Sequence, residues 1–339
     1  MITTREAPEQ DVVVSCRVRL ARNYDDVPFA PVMDADDADE TISRVEESIK
    51  NSNDSGHYTL FRMREMSKDA QKRLVEHHLI SYDLLKYAEH SAALISDGET
   101  VSVMINEEDH LRIQGLLPGL QLPRAAELAF AADDQLSKNA RIAFDSRLGY
   151  LTSCPTNTGT GMRASTMLHL AGLAAAGQIN AIVQMVSKLG LTVRGLYGEG
   201  SEANGSLYQL SNQVTLGRTE EDMINSLIAV TQQIAGVERS LRDKMLSQNA
   251  VALEDKLMRS VGILAHSRVL PLQEFMQRYS DLRLAAAMAY IQAPFHALDE
   301  MMMDLQPASL NVAAESARND DDLNALRADR ARKFMNTIT

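Results

Sequence analysis

Cysteine is scarce in this chain: Cys16 and Cys154 are the only two in 339 residues. Two thiols make no disulfide framework, and so few fit a reducing cytoplasm. The opening stretch MITTREAPEQ lacks the apolar core of a secretion signal. Apolar runs of membrane-spanning length are missing too; LRLAAAMAYIQA is short and begins with charge. Basic residues are in deficit, with 34 Lys and Arg against 46 Asp and Glu, a net charge of -12. That balance argues against a general nucleic-acid-binding face. Familiar phosphate and kinase signatures are also absent. There is no GxxxxGK[ST] loop, no HRD and no DFG, and neither GLYGEG nor NTGTGMRAS has GxGxxG spacing. The eight histidines show no HxxxH or HEXXH spacing, so a histidine metal centre is not expected. Paired His77 and His78 read as a helix surface.

What is present is enough for a large core. Hydrophobic residues make up 45% and charged residues 24%, ordinary values for a soluble globular protein of one or two domains. DVVVSCRVRLA alternates like a strand and puts Arg17 and Arg19 on one face, with Cys16 on the other. AALISDGETVSVMIN reads as a hairpin around Asp-Gly. DDADETISRVEESIKNS and KDAQKRLVEHHLIS have helical spacing. GLTVRGLYGEGSEANGSLYQLSNQVTLG reads as strand, glycine-rich loop, strand. A long helix follows, opened by Thr219 with acids in its first turn. Strand signals vanish beyond about residue 240, which predicts a helical C-terminal domain. The division is set at 1–250 and 251–339, and RNDDDLNALRADRARKFM closes the chain as a charged helix. The methionines and leucines of this half read as core.

Two groups of residues stand out chemically. MINEEDHLRIQ sets Glu107, Glu108 and Asp109 side by side, against their mutual repulsion, where a strand ends. Arg17, Arg19, Arg112, Arg163 and Arg194 each lie near a strand end or glycine-rich turn. Guanidinium is permanently charged and grips phosphate oxygens in pairs, so converging arginines can clamp a triphosphate without a P-loop.

The segments VVSCRVRLARN, VSVMINEEDHLRIQG, LTSCPTNTGTGMRAS and VRGLYGEGSEANGSLYQLSNQVTLGRTEED resemble, in order, the motifs of the phosphagen (ATP:guanidino) kinases. The resemblance runs from about residue 11 to the C-terminus and is strongest to the bacterial protein-arginine kinases. It implies an α+β fold: a twisted, mainly antiparallel sheet flanked by helices, plus an all-α C-terminal domain. It also implies roles. Glu108 and Glu199 are the carboxylates that orient the substrate guanidinium, Glu108 taking its proton. Cys154 is the reactive cysteine beside it. The five arginines hold ATP phosphates, and Glu107 and Asp109 lie near Mg²⁺, mostly through water. Cys16 reads as structural. Two opposed carboxylates suit this chemistry, because a guanidinium has no free lone pair and is a poor nucleophile at neutral pH.

Small-substrate members of the family carry an N-terminal helical domain ahead of the first arginine motif. Here only 16 residues precede Arg17, so a cleft open to a protein-borne arginine is expected. A free-arginine kinase is the alternative with the same chemistry; a non-catalytic adaptor binding arginine or phosphoarginine is a third reading. The family's partners would be protein substrates with exposed arginine, a second copy of the chain, a zinc-binding activator, and a Clp ATPase and protease acting in stress-response quality control. One departure concerns a C-terminal RDxxRA motif that binds phosphoarginine in the protein-arginine kinases. Arg327 and Ala328 remain, but Leu323 and Asn324 replace its Arg and Asp, which puts phosphoarginine sensing there in doubt; Arg330 is a candidate to compensate.

Overall fold

A computed structural model describes residues 7–50, 58–138, 140–195, 204–314 and 319–338. In chain order the strands and helices are β1 (Val13–Arg22), α1 (Ala35–Lys50), β2 (Tyr58–Arg62), α2 (Lys68–Glu76), β3 (Ala92–Ser96), β4 (Val101–Ile105), β5 (Leu111–Pro118) and α3 (Leu122–Ser137). They continue with β6 (Phe144–Asp145), β7 (Gly149–Tyr150), β8 (Met162–His169), α4 (Ala171–Ala175), α5 (Ile179–Ser187), β9 (Leu191–Gly195) and β10 (Leu207–Asn212). Five helices follow: α6 (Glu220–His266), α7 (Leu272–Ala287), α8 (Phe295–Asp304), α9 (Pro307–Ala314) and α10 (Asp320–Ile338).

Eight strands form one sheet in the order β2-β3-β4-β5-β1-β8-β10-β9, and every neighbouring pair is antiparallel. The expected α+β fold with a mainly antiparallel sheet and a helical C-terminal region is the observed one. Period-two alternation divides the sheet's faces. Cys16, Val18, Leu20, Ile113, Ala164 and Leu210 point into a core shared with Ala125, Ala129, Leu227, Val230 and Ile234 of α3 and α6. Burial pushes the Cys16 thiol up to about 12, as suits an inert core residue. Arg22, at an even position like Cys16, also turns to this side. It pairs with Asp133 at 2.8 Å, sits only 1% exposed, and lies 3.5 Å from the centre of the Tyr150 ring. Asp133→Ala leaves that guanidinium buried without its counter-ion. A loss of about 3–5 kcal/mol is expected, to be read from the denaturant midpoint; a loss below about 1 kcal/mol would show the site to be wet.

Thr219 caps α6 by accepting from the Asp222 amide at 3.1 Å, the capping expected from its side chain. This helix runs through the division expected after residue 250, with a break in its dihedrals at Asn249 (φ -159°, ψ 78°). Beyond it, Phe275, Tyr279, Leu298, Met301, Met302, Leu310 and Met335 build a second core that also takes in Val14 and Leu207 of the sheet. Polar contacts pin the two parts together. Arg283 donates to the Gln10 carbonyl at 2.6 Å, and Glu76 accepts from the Ala308 and Ser309 amides at 2.8 and 2.7 Å. Arg327, the arginine surviving from the altered motif, is 1% exposed. It donates to the Leu305 and Leu270 carbonyls and to Asn324 Oδ1, so here it staples helices together.

Candidate active site

The other face of the sheet carries the arginines. Arg19 stands directly opposite Arg163 on β8, Ala21 opposite Arg112 on β5, and Arg194 on β9 opposite Gln209 of β10. Strand register therefore brings Arg17, Arg19, Arg112, Arg163 and Arg194 onto one face spanning five consecutive strands. Their charges press on one another. Burial, then Arg112 and Arg163, pulls Arg17 down to about 10. Burial followed by Arg17, Arg112 and Arg163 pulls Arg19 well below its ordinary value, against a small opposing effect of Glu107. Arg163 is lowered by burial, Arg194 and Arg112. Guanidinium groups keep their proton near neutrality, so a bound anion is what relieves this repulsion. Arg163 donates to Ser211 Oγ at 3.1 Å, while the Nε atoms of Arg19 and Arg163 are buried without partners.

The acidic triplet lies at one end of this face, in the loop joining β4 to β5. Asn106 opens the loop with φ 61°, a left-handed conformation that asparagine tolerates better than most residues. Its side-chain amide donates to the Ala38 and His90 carbonyls, both at 2.9 Å. The triplet then divides its work. Glu107, 2% exposed, turns inward to Arg112 at 2.6 Å and also accepts from the Ser81 hydroxyl. Asp109, 2% exposed, accepts from Asn23 Nδ2 and from the Ser153 amide, both at 2.7 Å. Only Glu108 faces outward, its side chain 41% exposed, at 3.2 Å from Arg112 and 3.3 Å from Asn157 Nδ2. The repulsion the sequence implied is thus absorbed by Arg112, Asn23 and backbone amides.

Glu107, Glu108, Arg112 and Ser153 line a cavity of about 660 Å³, with Asp34, Asp83 and Tyr87 at its walls. Cys154, partly exposed, follows Ser153 and places its Sγ 3.0 Å from Thr156 Oγ1. Its loop is tied down by Thr215, whose hydroxyl donates to the Thr156 and Thr158 carbonyls at 2.9 and 2.8 Å. Gly161 follows with φ +63°; a Cβ there would lie 2.7 Å from the Ala21 carbonyl oxygen. Only glycine lets the loop close this tightly onto β1. Glu199, the expected second carboxylate, lies outside the described residues.

Several residues with a part in the site went unnoticed in the sequence. Asn23 is fully buried and joins three segments. It donates to Asp109 and the Leu151 carbonyl and accepts from the His110 amide at 2.8 Å. Asn157 sits inside the quoted CPTN motif, and Ser81 follows the histidine pair. The histidines themselves correct an expectation. His77 is the C-cap of α2, and His78, at φ 60°, leaves the helix altogether. Burial and Arg17 drive the His78 pKa down to about 4, so it is a neutral ring against the arginine face and no helix-surface residue.

A magnesium ion fits this donor set. The oxygen-rich turn offers hard ligands, and Asp109 Oδ2 is buried with no partner. Among the described residues no cluster of three or more His, Cys, Asp or Glu could hold a metal, so phosphate oxygens and water would supply most of its shell. No described helix is long and apolar enough to cross a membrane.

Known proteins resemble this chain in sequence and in fold. Residues 40–241 match the family model of the ATP:guanido phosphotransferase C-terminal catalytic domain. Residues 250–339 match that of the protein-arginine kinase McsB C-terminal domain. A protein-arginine kinase of Geobacillus sp. (strain WCH70) is 43% identical over 328 residues, covering 96% of this chain and 91% of the relative. One from Moorella thermoacetica is 43% identical over 332 residues, covering 97% and 95%. Among solved structures, a lombricine kinase is 25% identical with a TM-score of 0.60, over 69% of this chain and 68% of that one. A duplicated taurocyamine kinase from Schistosoma mansoni, with bound transition state analog components, is 27% identical with a TM-score of 0.62, over 71% and 35%.

Proposed function

The chain belongs to the ATP:guanido phosphotransferase family and ends in the C-terminal domain of its protein-arginine kinases, and we propose that it phosphorylates arginine side chains within proteins at the expense of ATP. The observation that carries the reading is the arginine face ending at Glu108: five cationic side chains on four strands lead to one outward carboxylate in a cavity of about 660 Å³.

The substrate guanidinium enters that cavity and pairs with Glu108, which fixes its plane. Asn157 and Arg112 hold the Glu108 carboxylate in place. A guanidino nitrogen forms its bond to the γ-phosphorus as the bond from phosphorus to the β,γ-bridging oxygen breaks. The proton leaving nitrogen passes to Glu108, and the electron pair of the broken bond stays on ADP. The transition state is loose, so positioning and charge neutralisation do most of the work. The arginines stabilise the charge developing on the leaving diphosphate, and magnesium, when bound with ATP, neutralises phosphate oxygens. Glu199 is assigned the second carboxylate and Cys154 the thiol beside the guanidinium, both by position in the family's motifs. Kinship to protein-arginine kinases supports a protein-borne acceptor. A cytoplasmic setting, a homodimer, a zinc-binding activator and delivery of marked proteins to a Clp protease under stress extend the reading by the same kinship.

The direct test incubates the full chain with ATP, Mg²⁺ and a mildly unfolded protein, then seeks phosphoarginine by mass spectrometry without acid. Phosphoarginine in the protein is the expected result, and chelation of Mg²⁺ should abolish it. Phosphorylation confined to free arginine would replace this reading with that of a phosphagen kinase. Nucleotide bound without turnover would leave an adaptor.

A further inference from the structure

Resting on that function, we propose that apolar side chains on both flanks of the 151–158 loop form a docking surface for the substrate chain on either side of its acceptor arginine. The occupant they fit is an extended, apolar-rich segment of an unfolded protein. The strand register sets the place. Arg22 lies beside Leu111, Leu20 beside Met162, and Asn212 beside Leu191, and Asn212 also donates to the Met162 carbonyl at 3.2 Å. These positions mark one end of the sheet. The acidic turn leads into Leu111, the 151–161 loop into Met162 and residues 189–190 into Leu191, while residues 213–217 leave from Asn212. All four segments therefore emerge at the end of the sheet that carries Glu108.

Five large apolar side chains stand in solvent there: Phe144, Leu148, Leu189, Val214 and Leu216 are each 45–59% exposed. Scattered singly they would mean little, but backbone contacts string them together. Tyr150 and Gly159 exchange backbone hydrogen bonds at 2.8 and 3.3 Å. Gly159 packs so closely on the next segment that a Cβ there would lie 2.9 Å from the Leu216 Cα. Gln213 donates to the Gly190 carbonyl at 3.0 Å, and a Cβ at Gly190 would lie 3.8 Å from a Val214 methyl. Phe144 joins through the Tyr150 ring, edge-on with centroids 5.2 Å apart. The surface thus runs from β6 and β7 across Gly159 to the 213–217 and 189–190 segments. From its middle, between Tyr150 and Gly159, springs the loop that puts Ser153 in the acceptor cavity and Asn157 at 3.3 Å from Glu108.

This continuity with the acceptor cavity decides the occupant. The cavity itself suits a cation, with Glu108, Asp34 and Asp83 in its lining. A free amino acid seated there would leave the apolar flanks in water. An arginine within an extended chain continues over them, its neighbours rising about 3.3 Å per residue and alternate side chains turning to the surface. Folded proteins bury most of the apolar residues such a surface needs, whereas an unfolded chain shows arginine and apolar side chains together. Apolar contact is non-directional, so the surface selects for exposure and not for one sequence.

Steady-state phosphorylation of two synthetic peptides by the full chain with MgATP tests the surface. Each peptide carries one central arginine; the first has leucine and valine at the flanking positions, the second serine. The native chain is expected to favour the apolar peptide roughly tenfold in kcat/KM, mostly through KM. Leu148→Ser and Leu216→Ser, on opposite sides of the loop and outside the core, should each narrow that ratio roughly threefold, and the double variant should bring it near one. Melting midpoints establish folding. Equal use of the two peptides by the native chain, or a ratio unchanged in the double variant, overturns the inference and leaves the kinase reading intact. With the ratio unchanged, two further readouts on the double variant name the true occupant. Lost binding to anionic phospholipid vesicles, which the exposed Arg147 and Lys188 would suit, assigns the surface to a membrane; an altered oligomeric state in sedimentation assigns it to a second copy. A chain that phosphorylates neither peptide overturns both readings.

Discussion

Arg163→Ala is expected to lower turnover by roughly 10³–10⁵-fold, the range for losing an arginine that stabilises phosphoryl transfer, while the fold stands or grows firmer. The two effects have opposite signs for one reason. Arg163 faces Arg19 across β1 and β8, its Nε lacks a partner among the described residues, and its guanidinium donates to Ser211 Oγ. Like charges directly opposite each other on a sheet destabilise it, so removing one relieves the folded state. In the transition state the same repulsion becomes attraction, since the guanidiniums of this face converge on a departing diphosphate. Glu108→Asp makes the informative comparison. It keeps the charge, retracts it by one methylene, and disturbs proton transfer, an effect usually of only ~10²–10⁴-fold in full. Single-turnover transfer of labelled phosphate, read beside the melting temperature, ranks the two. A smaller loss in Arg163→Ala than in Glu108→Asp would mean that the face does not clamp phosphate.

The sequence made the arginine face legible because its logic is local. Period two on VVSCRVRLA puts Arg17 and Arg19 together and Cys16 behind them, and no tertiary information is needed. Places beside strand ends and glycine-rich turns added Arg112, Arg163 and Arg194, the motif resemblance gave all five one role, and the antiparallel register then explained why positions so distant in sequence share a surface. The acidic triplet was half legible. Its sequence announced a cost, but not that Glu107 and Asp109 point inward while Glu108 points out. That division depends on Ser81 and Asn23, residues 26 and 86 positions away from their partners, and single polar residues carry no periodic signal. His78 was misread for a related cause. Helical spacing ran through KDAQKRLVEHHLIS, and a left-handed residue that turns a ring back toward Arg17 shows only in three dimensions. Arg327 teaches the converse. The altered motif put phosphoarginine sensing around Arg327 in doubt without saying what the arginine does instead, and its donors turn out to be satisfied by two carbonyls and Asn324.

Glu108→Gln isolates the proton-accepting charge from everything else at the carboxylate end. Glutamine is nearly isosteric and its carbonyl can still accept from Asn157 and Arg112, so the 106–110 turn keeps its shape. Arg112 also retains Glu107 at 2.6 Å, which leaves the phosphate end of the site untouched. MgATP affinity should therefore be close to that of the native chain. Turnover should fall by ~10²–10⁴-fold or more, because the variant loses general-base catalysis and also the charge that orients the guanidinium. These two losses part in the kinetics. A missing base lowers kcat alone, whereas a missing counter-ion raises KM for the protein acceptor, and both are expected here with the larger change in kcat. Rescue by Glu108→Asp, even partial, would assign the role to the carboxylate itself. If kcat in Glu108→Gln stayed within tenfold of native, the proton would have to leave by another group, and Glu199, assigned the second carboxylate by motif position, is the residue to replace next.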